Sequence, residues 1–254
     1  MKIALAFFGL PRCSPVAFPS IERQLIAPLS DAGELQVCYH LYRQPHVFNP
    51  RSGEDDPQRE DNYLPFLPFR GRFEDRRPEA SGQLQRLMAY GDAWQDQFHS
   101  LTNLVLQLQS LLAVTEQMAE DAPQVVVFAR PDLLYHQRLP LEQVAHVVSH
   151  PDEVVLPWWE SWGGFNDRFA IAGARAWRAY GGRLLLADHY CQHTRQPLHS
   201  EKFLRYALRF ASVPVRTIGM RASRVRVDGR IEDEDFEGLR SPLAIAGRTG
   251  PRGP

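Results

Sequence analysis

The stretch Gln124–Tyr135, QVVVFARPDLLY, decides how this chain is read. Val125, Val126, Val127 and Phe128 form an unbroken β-branched and aromatic run, apolar toward both faces. That is how a central strand of a parallel sheet reads when both of its faces are covered. Pro123 closes the segment before it. The run leads directly into Arg130-Pro131-Asp132. Open α/β sheets bind ligands at the C-terminal ends of their strands. A charged pair at the exit of an apolar strand is costly to place unless it is solvated or used. Arg130 is suited to neutralising a diphosphate or to pairing with Asp132. Asp132 offers the oxygen donor that Mg²⁺ or Mn²⁺ prefers beside substrate phosphates.

Working outward, residues 2–9 form a second continuous apolar run, ending at Gly9-Leu10-Pro11-Arg12. Pro19 and Ser20 open a helical segment over 20–30, with Ile21, Leu25, Ile26 and Leu29 at helical spacing. A strand at Leu35–Leu41 completes a βαβ unit. Residues 43–80 carry prolines at 45, 50, 57, 65 and 68 and many charges, and read as a long loop or insertion. Residues 83–120 read as helix. As one rod they would span about 57 Å at ~1.5 Å per residue, against a domain radius of gyration of about 18 Å. Two helices are therefore expected, broken near Gly91 or between His99 and Asn103. The second is amphipathic through Leu101, Leu104, Val105, Leu108, Leu111, Leu112 and Met118. Beyond the central strand come a short helix near 141–148, a strand at Val154–Leu156, helices over 173–181 and 200–211, and a strand pair near 214–227. The whole reads as one α/β domain over 1–240, a mostly parallel central sheet flanked by helices, with a loose tail at 241–254.

The bulk composition bounds what the chain does. Of 254 residues, 44% are hydrophobic and 23% charged, which is globular composition, and the net charge of -1 supplies no global field for nucleic acid or an anionic membrane. Cys13, Cys38 and Cys191 form no C-x-x-C pair and are odd in number, which points to a reducing, cytoplasmic setting. The apolar N-terminal run is too short for a signal peptide and reads as a buried first strand. The most apolar helical stretch, Leu101–Met118, is interrupted by Asn103, Gln107, Gln109 and Glu116, so no membrane span is expected.

Several further groups are candidates for chemistry. At the end of the first strand, Gly9 allows close backbone approach to a ligand and Arg12 offers a fork of donors for phosphate, unless this is a turn with a solvated arginine. Trp158, Trp159 and Trp162 beside Gly163-Gly164 read as a pocket wall that stacks on sugar rings, or as core. Asp167, in Asn166-Asp167-Arg168, is a candidate general base or holder of sugar hydroxyls, or a helix cap. His189 and His193 have zinc-compatible spacing around Cys191, without further supporting ligands. Glu201 opens a helix, where a carboxylate also suits the helix dipole. Arg221, Arg224 and Arg226 read as one solvated face of a strand.

Four segments resemble, in order, a group of bacterial and viral glycosyltransferase-like proteins of surface polysaccharide and lipopolysaccharide synthesis. They are Lys2–Leu5 through Phe8–Arg12, Val126–Tyr135, Asn166–Ile171 with Tyr180 downstream, and Ser200–Leu204. The resemblance implies a GT-A-like, Rossmann-like domain with a nucleotide-sugar co-substrate and a saccharide or other hydroxyl acceptor. In that family a D-x-D motif holds a divalent metal, Mn or Mg, and the diphosphate. Arg130-Pro131-Asp132 stands in its place here, with Asp132 as the remaining metal ligand. By the same resemblance, Gly9, Pro11, Arg12, Arg130, Asp132, Asn166 and Arg168 would bind the donor. Asp167, and after it Glu201, would serve as the base, and Trp158, Trp159 and Trp162 would line the sugar or acceptor pocket. Two other readings stay open. One is a sulfotransferase-like enzyme, from the Gly9–Ser14 loop. The other is a non-catalytic carbohydrate-binding protein, from the tryptophans.

Overall fold

A computed structural model describes residues 1–75 and 82–237. In chain order its strands and helices are β1 (Lys2–Gly9), α1 (Ser14–Ile21), α2 (Ala27–Ala32), β2 (Glu34–Arg43), β3 (His46–Asn49), β4 (Glu54–Pro57), β5 (Arg70–Asp75), α3 (Gly82–Met88), α4 (His99–Gln117), β6 (Val125–Ala129) and β7 (Leu133–Tyr135). There follow α5 (Leu141–Ser149), β8 (Val154–Pro157), β9 (Phe169–Gly173), α6 (Trp177–Gly181), α7 (Ala187–Thr194), α8 (Ser200–Phe210), β10 (Val215–Ile218) and β11 (Ala222–Arg224). Seven strands form one sheet in the order β10-β8-β9-β6-β1-β2-β5. Every neighbouring pair is parallel except those made by β9, which runs against both β6 and β8. The expected α/β architecture is therefore present, and β1 and β6 lie side by side at its centre.

The alternation of the two central strands explains the layers. Ala4, Ala6, Phe8, Val126 and Phe128 point to one face, where α3, α4, α6, α7 and α8 cover them. Ile3, Leu5, Phe7, Val125, Val127 and Ala129 point to the other, where the α1–α2 segment and α5 cover them. Helix α4 seals the first face with Leu101, Leu104, Val105, Leu108, Leu111 and Val114. Each such side chain contributes roughly 1.5–3 kcal/mol on burial. One buried polar residue on α4 does different work. The Ser110 hydroxyl accepts from the Gly9 N–H at 2.8 Å and donates to the His40 carbonyl at 2.5 Å, tying the ends of β1 and β2 together. Among the described residues no helix is long and apolar enough to cross a membrane.

Three expectations need correction. The first helix begins at Ser14 rather than Ser20 and continues through a π-helical turn at Glu22–Ile26. Pro15 sits in its first turn, where no N–H is needed, so the opening proline is Pro15 and Pro19 lies inside. The 43–80 stretch is not merely a loop. It contains the β3–β4 hairpin and β5, a parallel edge strand on β2. The sequence of β5, RGRFED, hides it, because an edge strand needs little apolar surface and tolerates charge. The strands near 214–227 do not pair with each other: β10 joins β8, and β11 joins β7. The break between the helices of 83–120 falls at 89–98, across Gly91. Residues 76–80 and the tail at 241–254 lie outside the described residues.

Leu108, buried at the centre of the α4 face, provides a test of this layering. Leu108→Ala should lower unfolding stability by about 2–5 kcal/mol in a urea titration, with an unchanged slope. A loss under about 1 kcal/mol would mean that α4 does not seal the sheet.

Candidate active site

Five parts of the chain meet at the C-terminal edge of the central strands. Strand β1 delivers Gly9 and Arg12, and β6 delivers Arg130 and Asp132. Because β9 is antiparallel to β6, its incoming end brings Asn166-Asp167-Arg168 to the same edge. The β7–β11 ladder brings Arg224 and Arg226, and the Val225 N–H donates to the Asp132 carbonyl at 2.8 Å. The first turn of α8 adds Ser200 and Glu201. Together they enclose a cavity of ≈ 400 Å³. It is lined by six arginines (Arg12, Arg51, Arg130, Arg168, Arg224, Arg226) and three carboxylates (Glu160, Asp167, Glu201). A smaller, more apolar arm of ≈ 70 Å³ adjoins it, lined by Leu10, Tyr42, Val47, Phe48 and Leu106 and sharing Arg12, Gln107 and Arg130 with it.

Apart from Arg51, these arginines are held from behind by buried acids. Asp132 is 1% exposed, and both of its oxygens are taken. Arg130 donates to them at 2.9 and 2.7 Å, and Arg12 donates to Oδ2. Burial alone would raise the Asp132 carboxyl. Arg130, and then Arg12, more than reverse this and hold it far below the usual carboxylate range. Glu54 sits 3.1 Å from both Arg12 Nε and Arg226 Nη1. The Arg12 contact is out of line for a hydrogen bond, which leaves the Nε–H without an acceptor. Glu234 takes Arg224 bidentately at 2.7 and 3.0 Å and Arg168 at 3.2 Å. Burial would raise Glu234, but Arg168 and Arg224 bring it down to about 2. Glu160 moves the other way, pushed up by burial and by its hydrogen bond with Glu234. The cavity thus presents guanidinium forks on a backing of carboxylates. That arrangement pre-organises donors for a polyanion.

Asp167 has a different setting. Ser200 Oγ and Gln107 Nε2 both donate to its Oδ2, the latter at 3.2 Å. Its Oδ1 takes no protein hydrogen bond among the described residues, and the residue lines the cavity. Burial would raise its carboxyl. Arg130, the Ser200 hydroxyl, Arg183 and Arg168 together leave it below its ordinary value, so it is ionised at neutral pH. Glu201 lies 3.2 Å from His199 Nδ1, and the His199 ring stacks on Trp94. The loop that carries Glu160 and Trp162 is strained: both residues have φ +43°, which non-glycine residues rarely adopt. Gly164 in this loop packs so closely on α8 that a Cβ there would lie 1.9 Å from the Glu201 carbonyl oxygen.

The candidate residues divide accordingly. Gly9, Arg12, Arg130, Asp167, Arg168, Glu201 and Trp162 line the cavity or its arm. Gly9 has φ +100° with open space where a Cβ would be, so its freedom of backbone shape is what the turn requires. Asp132 and Asn166 lie behind the wall. Asn166 holds the loop, donating to the Trp159 carbonyl at 2.6 Å and accepting from the Arg168 N–H at 2.9 Å. Pro11 is buried, its carbonyl taken by Gln58. The tryptophans separate. Trp159 is 0% exposed and its Nε1 donates to the Met220 carbonyl, so it is core and not a pocket wall. Trp158 packs against the same core, and only Trp162 reaches the cavity.

The solvated-face reading of Arg224 and Arg226 is overturned, since both are paired with acids and line the cavity. Arg226 is buried, with Val225 and Val227 alternating beside it. That R-V-R-V alternation was the available signal. No local pattern marks Gln107, Trp94 or Glu54, and Ser200 enters only as the first residue of the resembling segment Ser200–Leu204. Ser14 of the first loop is buried and bonded to Asn62, which removes it from any phosphate loop. Cys191 is buried while His189 and His193 are exposed, so the three do not share an ion.

The residues at Asp132 do not fit a divalent cation. Each of its carboxylate oxygens already faces a guanidinium, and an ion there would sit against two fixed positive charges. Among the described residues, no three His, Cys, Asp or Glu ligand atoms in the cavity lie close enough together to share one.

No family model and no curated protein matches this sequence. Solved structures do. The core-mannan synthase A of Aspergillus fumigatus, in a Mn/GDP form, is 6% identical with TM-score 0.50, over 86% of this chain and 73% of that one. Mouse xyloside xylosyltransferase 1 is 12% identical with TM-score 0.46, over 85% and 84%. The galactosyltransferase LgtC is 14% identical with TM-score 0.45, over 85% and 73%. The likeness to the mannan synthase shows a GT-A-like fold.

The Asp132 pair has a pH signature. Its folded pKa is depressed, so its stabilisation is complete above the unfolded value of about 3.9 and is lost as pH falls below it. Asp132→Asn should cost about 3–5 kcal/mol at neutral pH, by leaving two guanidiniums without their acid. It should also flatten the loss of thermal stability between about pH 5 and pH 2. An Asn variant as stable as the parent at pH 7 would contradict this.

Proposed function

We propose that the chain is a nucleotide-sugar-dependent glycosyltransferase that moves a sugar onto a saccharide hydroxyl. The observation that carries this reading is the pairing, in one cavity, of a preorganised guanidinium set with the Asp167 carboxylate, whose Oδ1 is left for a ligand. The apolar arm beside Tyr42, Val47 and Phe48 gives one end of the cavity an apolar wall for the donor's base. The donor diphosphate lies against Arg12 and Arg130 at the exits of β1 and β6, and the sugar lies toward Trp162, Asp167 and Glu201. The GDP of the similarly folded mannan synthase is a ligand of the same chemical class.

In the reaction the bond from the anomeric carbon to the diphosphate oxygen breaks, and its electron pair leaves with the nucleoside diphosphate. The acceptor oxygen forms the new bond to that carbon, and its proton passes to Asp167 Oδ1 and on to water. The guanidiniums stabilise the charge that develops on the leaving diphosphate and, being already held by Asp132, Glu54 and Glu234, need no reorganisation. Ser200 and Gln107 fix the carboxylate orientation. Glu201 completes the wall on the acceptor side.

Incubation with UDP-, GDP-, CMP- and dTDP-sugars, following both binding and slow donor hydrolysis, tests the reading. One donor class should bind and be hydrolysed. Asp167→Asn should lower its turnover by about 10²–10⁴-fold with donor affinity changed only a few-fold. No binding and no hydrolysis across the panel would overturn the proposal. Unchanged turnover in Asp167→Asn would remove Asp167 from its role.

A further inference from the structure

Helix α8 has two faces. Phe203, Leu204, Ala207 and Leu208 are buried in the core. On the other side Lys202, Arg205 and Arg209 recur at i, i+3 and i+7, with Tyr206 and Phe210 interleaved at i+4 and i+8. This spacing normally marks the apolar stripe of a helix. Here it makes a cationic and aromatic stripe. Helix α7 supplies the opposite wall through His189, Tyr190 and His193, and a groove of ≈ 610 Å³ lies between the two helices.

The groove is built. Tyr206 Oη and His189 Nδ1 are 2.8 Å apart, bridging its walls. The rings of His189 and His193 stack at 5.8 Å, and those of Tyr206 and Phe210 at 6.2 Å. Phe210 is 57% exposed. The cations contrast with those of the cavity. Each arginine at the exits of β1, β6 and β11 has an acid partner, whereas Lys202, Arg205 and Arg209 have none among the described residues. Burial and then the repulsion of Arg209 both weaken the hold of Arg205 on its proton. Like charges at i, i+4 destabilise a helix, so this face is arranged for an anion that it does not itself supply.

Position ties the groove to the cavity. Glu201 lines the cavity, and the next residue, Lys202, lines the groove. The stripe from Lys202 to Phe210 then runs about 12 Å along the helix. We infer that the α7–α8 groove binds an acidic saccharide, with its anionic groups on Lys202, Arg205 and Arg209 and its ring faces against Tyr206 and Phe210, as the outer part of the acceptor. The concave shape and edge-lining rings favour a sugar chain over a flat lipid surface. The role as acceptor site rests on the transferase reading; the binding does not.

Calorimetric titration of the full chain tests it with four probes: tetragalacturonate, a heparin tetrasaccharide, neutral maltotetraose, and vesicles of phosphatidylcholine with phosphatidylglycerol. At least one acidic tetrasaccharide should bind about tenfold or more tightly than maltotetraose. The Arg205→Gln/Arg209→Gln double variant should lose about tenfold or more of that affinity, with donor hydrolysis unchanged. Tyr206→Leu, which keeps every cation, should also weaken it. Equal binding of acidic and neutral sugars, unchanged affinity in the double variant, or uptake by vesicles without saccharide binding would overturn the inference. Acidic-sugar binding by a chain that hydrolyses no donor would uphold the groove and sink the transferase reading, so the two failures are distinguishable.

Discussion

The Asp132 carboxylate, buried between the Arg12 and Arg130 guanidiniums, is the interaction on which the rest of the site depends. A lone buried carboxylate would be far too costly, and so would Arg130 without it, since Asp132 is its one ion-pair partner among the described residues. Asp132 and Arg130 are therefore stable only together. Because Arg12 follows β1 and Arg130 follows β6, the carboxylate locks the exits of the two central strands to each other. Its backbone carbonyl extends the lock to β11 through Val225. Arg226 and Glu54 then continue the network to the β3–β4 hairpin. One carboxylate thus fixes the positions of groups from four distant parts of the chain.

This arrangement bears on how charge is handled. A metal site would concentrate positive charge at one point and leave carboxylates facing the ligand. Here Asp132, Glu54 and Glu234 are withdrawn behind the wall, and the guanidiniums of Arg12, Arg130, Arg168, Arg224 and Arg226 face inward with their geometry set by those acids. Arginine forks match the oxygens of a diphosphate and remain charged at any physiological pH. Glu160, Asp167 and Glu201 face the cavity, and Asp167 keeps Oδ1 for a ligand. The supporting shell is correspondingly tight. Ser110 holds the turn at Gly9, and Gly164 brings the Trp162 loop into backbone contact with Glu201.

The sequence was readable where burial dictates residue type. β1 and β6 are apolar toward both faces, and that alone placed them at the centre and put Arg130-Pro131-Asp132 at a strand exit. α4 was readable from its stripe. The charged edge strand β5 was not, since an edge strand carries little periodic apolar signal. Nor could the sequence separate Trp159 from Trp162. Both sit in one aromatic run, and only the hydrogen bond to Met220 and the direction of the loop assign one to the core and the other to the cavity. The R-V-R-V alternation does not name a partner such as Glu54, 172 residues from Arg226, so Arg224 and Arg226 read as solvated although both line the cavity. The R-P-D motif lies at the cavity wall, where Arg130 lines the cavity and the Asp132 carboxylate is turned to the arginines.

The central claim is that the guanidiniums held by Asp132 and its neighbouring acids form the diphosphate cradle. Calorimetric titration of the chain with UDP and GDP, first in EDTA and then with excess Mn²⁺, tests it most directly. The account predicts that one of them binds in EDTA with an affinity that Mn²⁺ changes by less than about threefold, under 1 kcal/mol. Binding that appears only with Mn²⁺, or that tightens by about tenfold or more when it is added, would contradict it.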